Sequence, residues 1–122
     1  MPYALIQNST RPLQKPIRVK YCRDFLSRFR GLMLRAGIAP QEGILLVENR
    51  DSRMDTAIHM LFMRFDIAAI WINSEMLVVD VRLARKWQPV ITPAQPARFV
   101  LEAHPQQVTS FAVGDRGEFV DA

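Results

Sequence analysis

TAIHMLFMRFDIAAIWIN, residues Thr56–Asn73, is the stretch whose reading decides the fold. It is apolar almost throughout, yet His59, Arg64 and Asp66 stand inside it. A polar group placed in a buried run must be paired, at a cost of ~1–3 kcal/mol if it is not. Fold and site are therefore expected to meet here. Ala57–Phe65 and Ile67–Ile72 are predicted strands, with a bend or bulge at Arg64–Asp66 and a hairpin loop at Asn73–Glu75.

Working outward, the flanking segments repeat a period of two. On the C-terminal side, Met76–Trp87 sets Val79, Val81 and Leu83 against Asp80 and Arg82. Ala97–Ala103 sets Phe99 and Leu101 against Arg98, Val100 and Glu102. The three prolines within Gln88–Pro96 make that segment a loop or connector. Pro105–Phe111 is predicted as one or two helical turns, Val113–Arg116 as a turn, and Gly117–Val120 as a last short strand. On the N-terminal side, Gly43–Glu48 and Ile17–Cys22 read as strands, and Tyr3–Gln7 as an edge strand. Asp24 can cap a following helix in which Phe25, Leu26, Phe29, Leu32 and Met33 share one face, flanked by Arg23, Arg30, Arg28 and Arg35. The expectation is a mainly β (α+β) fold. It comprises a small barrel-like twisted sheet of about six to eight short strands, with one amphipathic helix over about residues 24–35 covering one side.

A chain of 122 residues fits one domain, 1–122. At 49% hydrophobic and 23% charged it is too apolar for a disordered segment. The single cysteine, Cys22, precludes an intrachain disulfide, and together with the lack of a leader-like segment points to a cytoplasmic protein. Arg64 and Asp66 interrupt the longest apolar run, so no membrane-spanning segment is expected, nor a membrane partner. Residues 11–35 hold eight Lys/Arg and one acid, a local balance of +7, which leaves −3 for the rest of a chain of net charge +4. With Phe25 and Phe29 assigned to the apolar helix face, that region offers phosphate contacts without stacking. It predicts at most weak, salt-sensitive nucleic-acid binding.

Four pieces in order resemble the uncharacterised family catalogued as domain of unknown function 192. They are Arg30-Gly31-Leu32-Met33 with Arg35, then Gly43-Ile44-Leu45-Leu46, then Ile58-His59 with Phe62-Met63-Arg64-Phe65, and finally Val100-Leu101-Glu102 with Val113-Gly114-Asp115. The resemblance runs from about Tyr21 to the end and implies a compact β-rich domain with no assigned reaction. The chain departs from it twice. Asp66 and Ala68 stand where the family has proline and then aspartate, and Ala103-His104-Pro105 follows Glu102 in place of a small residue and glycine.

No His/Cys pair has zinc-site spacing, so no metal and no cofactor is expected. Cys22 falls on the polar face of its strand, where basic neighbours could lower its pKa, but no motif pairs it with a histidine. No glycine-rich phosphate loop or nucleophile elbow is present, and no catalytic residue is assigned. Trp71 and Trp87 read as core anchors, with the rim beside Arg85 and Lys86 as the alternative place for Trp87. Met54, Met60, Met63 and Met76 read as core filling or a soft binding surface.

The best polar constellation is His59, Arg64, Glu102 and Asp115, with Arg30 beside it. One reading is a cleft in which Arg64 grips a carboxylate or phosphate and His59 orients it. The other is an internal Arg64–Glu102 ion pair that fixes strand register. The functional expectation is a non-enzymatic binding module for a small anionic ligand or a protein partner. The alternatives are an enzyme using His59 as acid–base and a weak nucleic-acid binder through residues 11–35.

Overall fold

The protein is described by a computed structural model over residues 3–121, with the side chains of Phe25, Leu26 and Phe29 outside the described residues. Seven strands form one sheet: β1 Tyr3–Asn8, β2 Ile17–Cys22, β3 Glu42–Ser52, β4 Ile67–Ile72, β5 Val78–Ala84, β6 Ala97–Ala103 and β7 Gly117–Asp121. Their order is β5-β4-β6-β3-β2-β1-β7. All neighbours are antiparallel except β2 and β3. A parallel pair requires a crossover, which residues 23–41 supply. The sheet curls into a half-barrel.

Its two edge regions meet at one end. Leu77 bridges Arg116, Val78 N–H donates to Asp115 O, and Gly117 N–H donates to Met76 O, both at 2.8 Å. Asp115 ties this end down. Its Oδ2 accepts from Asn8 Nδ2 at 2.8 Å, Ala112 N at 2.9 Å and Arg11 Nε at 3.1 Å.

The stretch IAAIWI is buried at every position because β4 is covered on both faces. Ile67, Ala69 and Trp71 join one core with Ile44, Leu46, Ile58, Met60 and Met63. Ala68, Ile70 and Ile72 join the other with Ala4, Ile6, Val19, Leu45, Leu101 and Phe111. A 3₁₀ turn at Pro105–Thr109 lies against β4 and β5.

The first core is roofed by chain that is not regular strand. The predicted strand Ala57–Phe65 makes one isolated bridge, Ile58–Ile91. Met60 N–H reaches Gln88 O at 2.8 Å, and Phe62 turns into the left-handed region at φ 61°. Pro89 and Pro93 in the facing segment have no N–H to extend a ladder. Trp71 is pinned under this roof by Nε1 donating to Thr56 O at 2.8 Å.

The amphipathic helix expected over residues 24–35 does not form. Asp24 caps as predicted, accepting from Ser27 N–H at 2.8 Å, but the helix, α1, spans only Phe25–Arg30. Gly31 then turns to φ 47° and Leu34 to φ 66°. Leu34 N–H donates to Phe62 O at 3.0 Å instead of continuing the ladder back to Arg30. The shared face assigned to Phe25, Leu26 and Phe29 lies outside the described residues. Leu32 is buried, whereas Leu34 is exposed.

Packing decides three smaller expectations. Cys22 is buried, not on a polar face, because it packs into the first core. Burial, then the Glu102 carboxyl, pushes its thiol pKa up, which outweighs Lys20 and leaves it protonated. Trp71 is a core anchor, but Trp87 is 55% exposed. Met60 and Met63 fill core while Met54 is exposed.

Asp115→Ala is expected to cost about 2–3 kcal/mol in urea unfolding, since it removes the acceptor shared by Asn8 Nδ2, Ala112 N–H and Arg11 and loosens the clamp at the sheet ends. Burial raises the Asp115 carboxyl, but the donors from Asn8, Ala112 and Arg11 together hold it below the usual aspartate range. Its contribution is therefore complete above the ordinary aspartate pKa and fades as pH falls through the lowered native value. The variant should lack that acid limb.

Candidate functional site

Glu102 is the polar residue that the sheet carries inward. On β6, Phe99, Leu101 and Ala103 face the second core, so Val100 and Glu102 face the first. The Cα partners of Glu102 are Ile44 on β3 and Ala69 on β4, both members of that first core. Glu102 is 5% exposed, and no hydrogen bond or ion pair from a described residue reaches its carboxyl. No fully sealed polar side-chain atom among the described residues lacks a partner, so the Glu102 oxygens open to the adjoining cavity. Burial pushes its pKa up to about 7.

Two glycines permit this packing. A Cβ on Gly31 would stand 3.2 Å from Glu102 Oε1, at a φ of 47° that already suits glycine. A Cβ on Gly43 would stand 2.6 Å from Glu102 O. The turn after α1 and the start of β3 can thus both lie against Glu102.

The cavity above Glu102 has a volume of about 300 Å³. Its apolar lining comes from Leu32, Met33, Leu46, Ala57, Ile58 and Met63, and its polar lining from Arg28, Arg30, Glu48, Asp55, His59 and Glu102. Arg28 is already engaged. Its Nε meets Glu48 Oε2 at 2.6 Å, and Nη1 donates to Arg23 O and to Val47 O. Burial raises the Glu48 carboxyl against the pull of Arg28. Asp55 pairs with Arg50 at 3.6 Å. Arg30 is exposed and makes no ion pair with a described residue. Nδ1 of His59 accepts from Leu61 N–H at 3.2 Å. Among the described residues no group of three His, Cys, Asp or Glu could hold a metal ion.

Of the residues singled out in sequence, His59, Glu102 and Arg30 line this cavity. Arg64 is exposed outside the lining and makes no ion pair with Glu102. Asp115 belongs to the Asn8–Arg11 network. Glu48 and Asp55 carried no sequence signal, because Arg28 and the cavity wall reach them only through tertiary packing. Asp66 serves a turn, accepting from Lys86 N–H at 2.8 Å. Ala68 faces the second core, away from the cavity. An acid at that position would not line this cavity.

The model of the family DUF192, described as "Uncharacterized ACR", matches residues 6–119. The chain belongs to this family. A UPF0127 protein of Thermococcus gammatolerans is 39% identical over 84 residues, covering 69% of this chain and 53% of the relative. The chain thus spans about half the length of that relative. A UPF0127 protein of Pyrococcus furiosus is 33% identical over 115 residues, 92% of this chain and 95% of the relative. A crystal structure of a proposed transcription regulator from Sinorhizobium meliloti superposes with a TM-score of 0.81 at 20% identity, covering 96% of this chain and 92% of the other. That likeness concerns the fold alone. DUF192 is an uncharacterised family with a β-rich fold. Within this DUF192 chain, the motif pieces around Gly31, Gly43, His59 and Glu102 converge on one cavity. Among the described residues, no helix is long and apolar enough to cross a membrane.

Because the native pKa of Glu102 is raised, its stabilising protonation is complete below the unfolded value of 4.5 and is lost as pH rises through about 7. Glu102→Gln should flatten stability across that window. At pH 8 it should exceed the wild type by up to about 3 kcal/mol. Urea melts at stepped pH read this directly.

Proposed function

We propose that this chain is a non-enzymatic binding module for a small anionic ligand, held in the cavity over Glu102. The observation that carries this reading is Glu102 itself, a carboxyl nearly removed from water and without a partner among the described residues, facing open space. A buried polar group left without a partner costs ~1–3 kcal/mol, which a ligand that pairs with it recovers. The volume, about 300 Å³, suits a small metabolite at the lower end of ligand sites.

The charges divide the cavity into roles. Glu48 occupies Arg28 and Arg50 occupies Asp55, so Arg30 remains to meet an anion at the rim. Leu32, Leu46, Ile58 and Met63 take the carbon body. Glu102, uncharged below about pH 7, donates its carboxyl proton to an acceptor oxygen at the floor. His59 lies at the wall.

A panel of small carboxylates and phosphate esters, tested by thermal shift and then calorimetry, checks the reading. A ligand found this way should bind about tenfold or more weakly to Arg30→Ala, and more weakly above pH 7 to the wild type. Arg64→Ala should bind it unchanged. Equal affinity in Arg30→Ala and Glu102→Gln for every ligand found would remove the cavity from consideration.

A further inference from the structure

Leu34, Phe62 and Trp87 are large apolar residues that stand exposed at 67%, 49% and 55%. Each lies at a turn, and each holds a positive φ of 66°, 61° and 70° respectively. An L-residue enters that region against steric resistance. Three of the four non-glycine residues with positive φ in the described chain therefore present bulky apolar side chains to solvent. They form one face. Leu34 N–H donates to Phe62 O at 3.0 Å, the Phe62 and Trp87 rings meet at 5.2 Å, and Trp87 N–H donates to Met60 O at 2.8 Å. Leu61, 37% exposed, adjoins them.

The same turns carry cations. Arg35 follows Leu34, Arg64 lies two residues after Phe62, and Arg85 and Lys86 precede Trp87. All four are exposed, and none makes an ion pair with a described residue. The only acid in these turns is Asp66, which accepts from the Lys86 backbone.

We propose that this face adsorbs to an anionic phospholipid surface, with Leu34, Leu61, Phe62 and Trp87 entering the headgroup boundary and the four cations on lipid phosphates. The site is separate from the cavity over Glu102. Among the described residues no helix is long and apolar enough to cross a membrane, but adsorption needs only an apolar tip and a basic rim. Trp is suited to the interfacial layer, and Arg and Lys stems reach along it to the phosphates. Single-stranded nucleic acid fits less well. Leu34 and Leu61 offer no stacking face, and the two rings are tilted 58° against each other.

Co-sedimentation of the whole protein with phosphatidylcholine vesicles, with and without phosphatidylglycerol, tests this. Binding is expected only when phosphatidylglycerol is present, to weaken with salt, and to shift Trp87 emission to the blue over the constant signal of buried Trp71. Arg64→Glu with Arg85→Glu should lower the partition coefficient by more than about tenfold. Leu34→Ser with Phe62→Ser should abolish the blue shift, with folding checked by circular dichroism. The proposal is overturned by no association at low ionic strength, or by equal binding to both vesicles. Binding of a labelled single-stranded oligonucleotide without vesicle binding would also overturn it, in favour of a nucleic-acid face.

Discussion

The structure depends on the burial of one strand from both sides. IAAIWI at Ile67–Ile72 has no polar face to give to water, so both faces must be covered. One cover is the curl of the sheet itself, which brings β1, β2 and the Phe111 segment over Ala68, Ile70 and Ile72. The other is the irregular roof formed by residues 56–63 and 85–93 over Ile67, Ala69 and Trp71. The junction of the sheet ends at Leu77–Arg116 and the clamp at Asp115 hold the curl closed at one end.

An irregular roof fits less tightly than a second sheet, and the cavity is the consequence. Where α1, its following turn and the middle of β3 meet the roof, space remains over Glu102. Gly31 and Gly43 let backbone approach from two directions without a Cβ in the way. A carboxyl there is desolvated but not sealed, which is why burial dominates its pKa. The same irregularity turns Phe62 and Trp87 outward. Cavity and exposed aromatic face are thus two results of one packing solution, built from different side chains.

Much of the strand content was legible because it depends on a period of two. β2, β5 and β6 were each marked by alternation, and seven strands fall within the expected six to eight. The amphipathic helix over residues 24–35 was misread for a specific reason. Apolar spacing at Leu32 and Met33 continues the helical pattern, but Leu34 N–H finds Phe62 O, a partner nearly thirty residues away. Ala57–Phe65 was misread similarly. Its residues suit a strand, yet the facing prolines and the turn at Phe62 leave only one bridge.

Residue by residue, the sequence alone determined that Glu102 would be a polar group on a strand with apolar neighbours, and that His59 would sit in a largely buried segment. It determined the two-sided burial of β4, because an uninterrupted apolar run has no face to expose. Only the tertiary structure decided which charges share a space. It brought Arg30 to the cavity of Glu102, left Arg64 at the surface, and sent Asp115 to Asn8 and Arg11. Local sequence sets the alternation of a side chain, but its neighbours come from strand order, register and turns that join segments far apart in the chain.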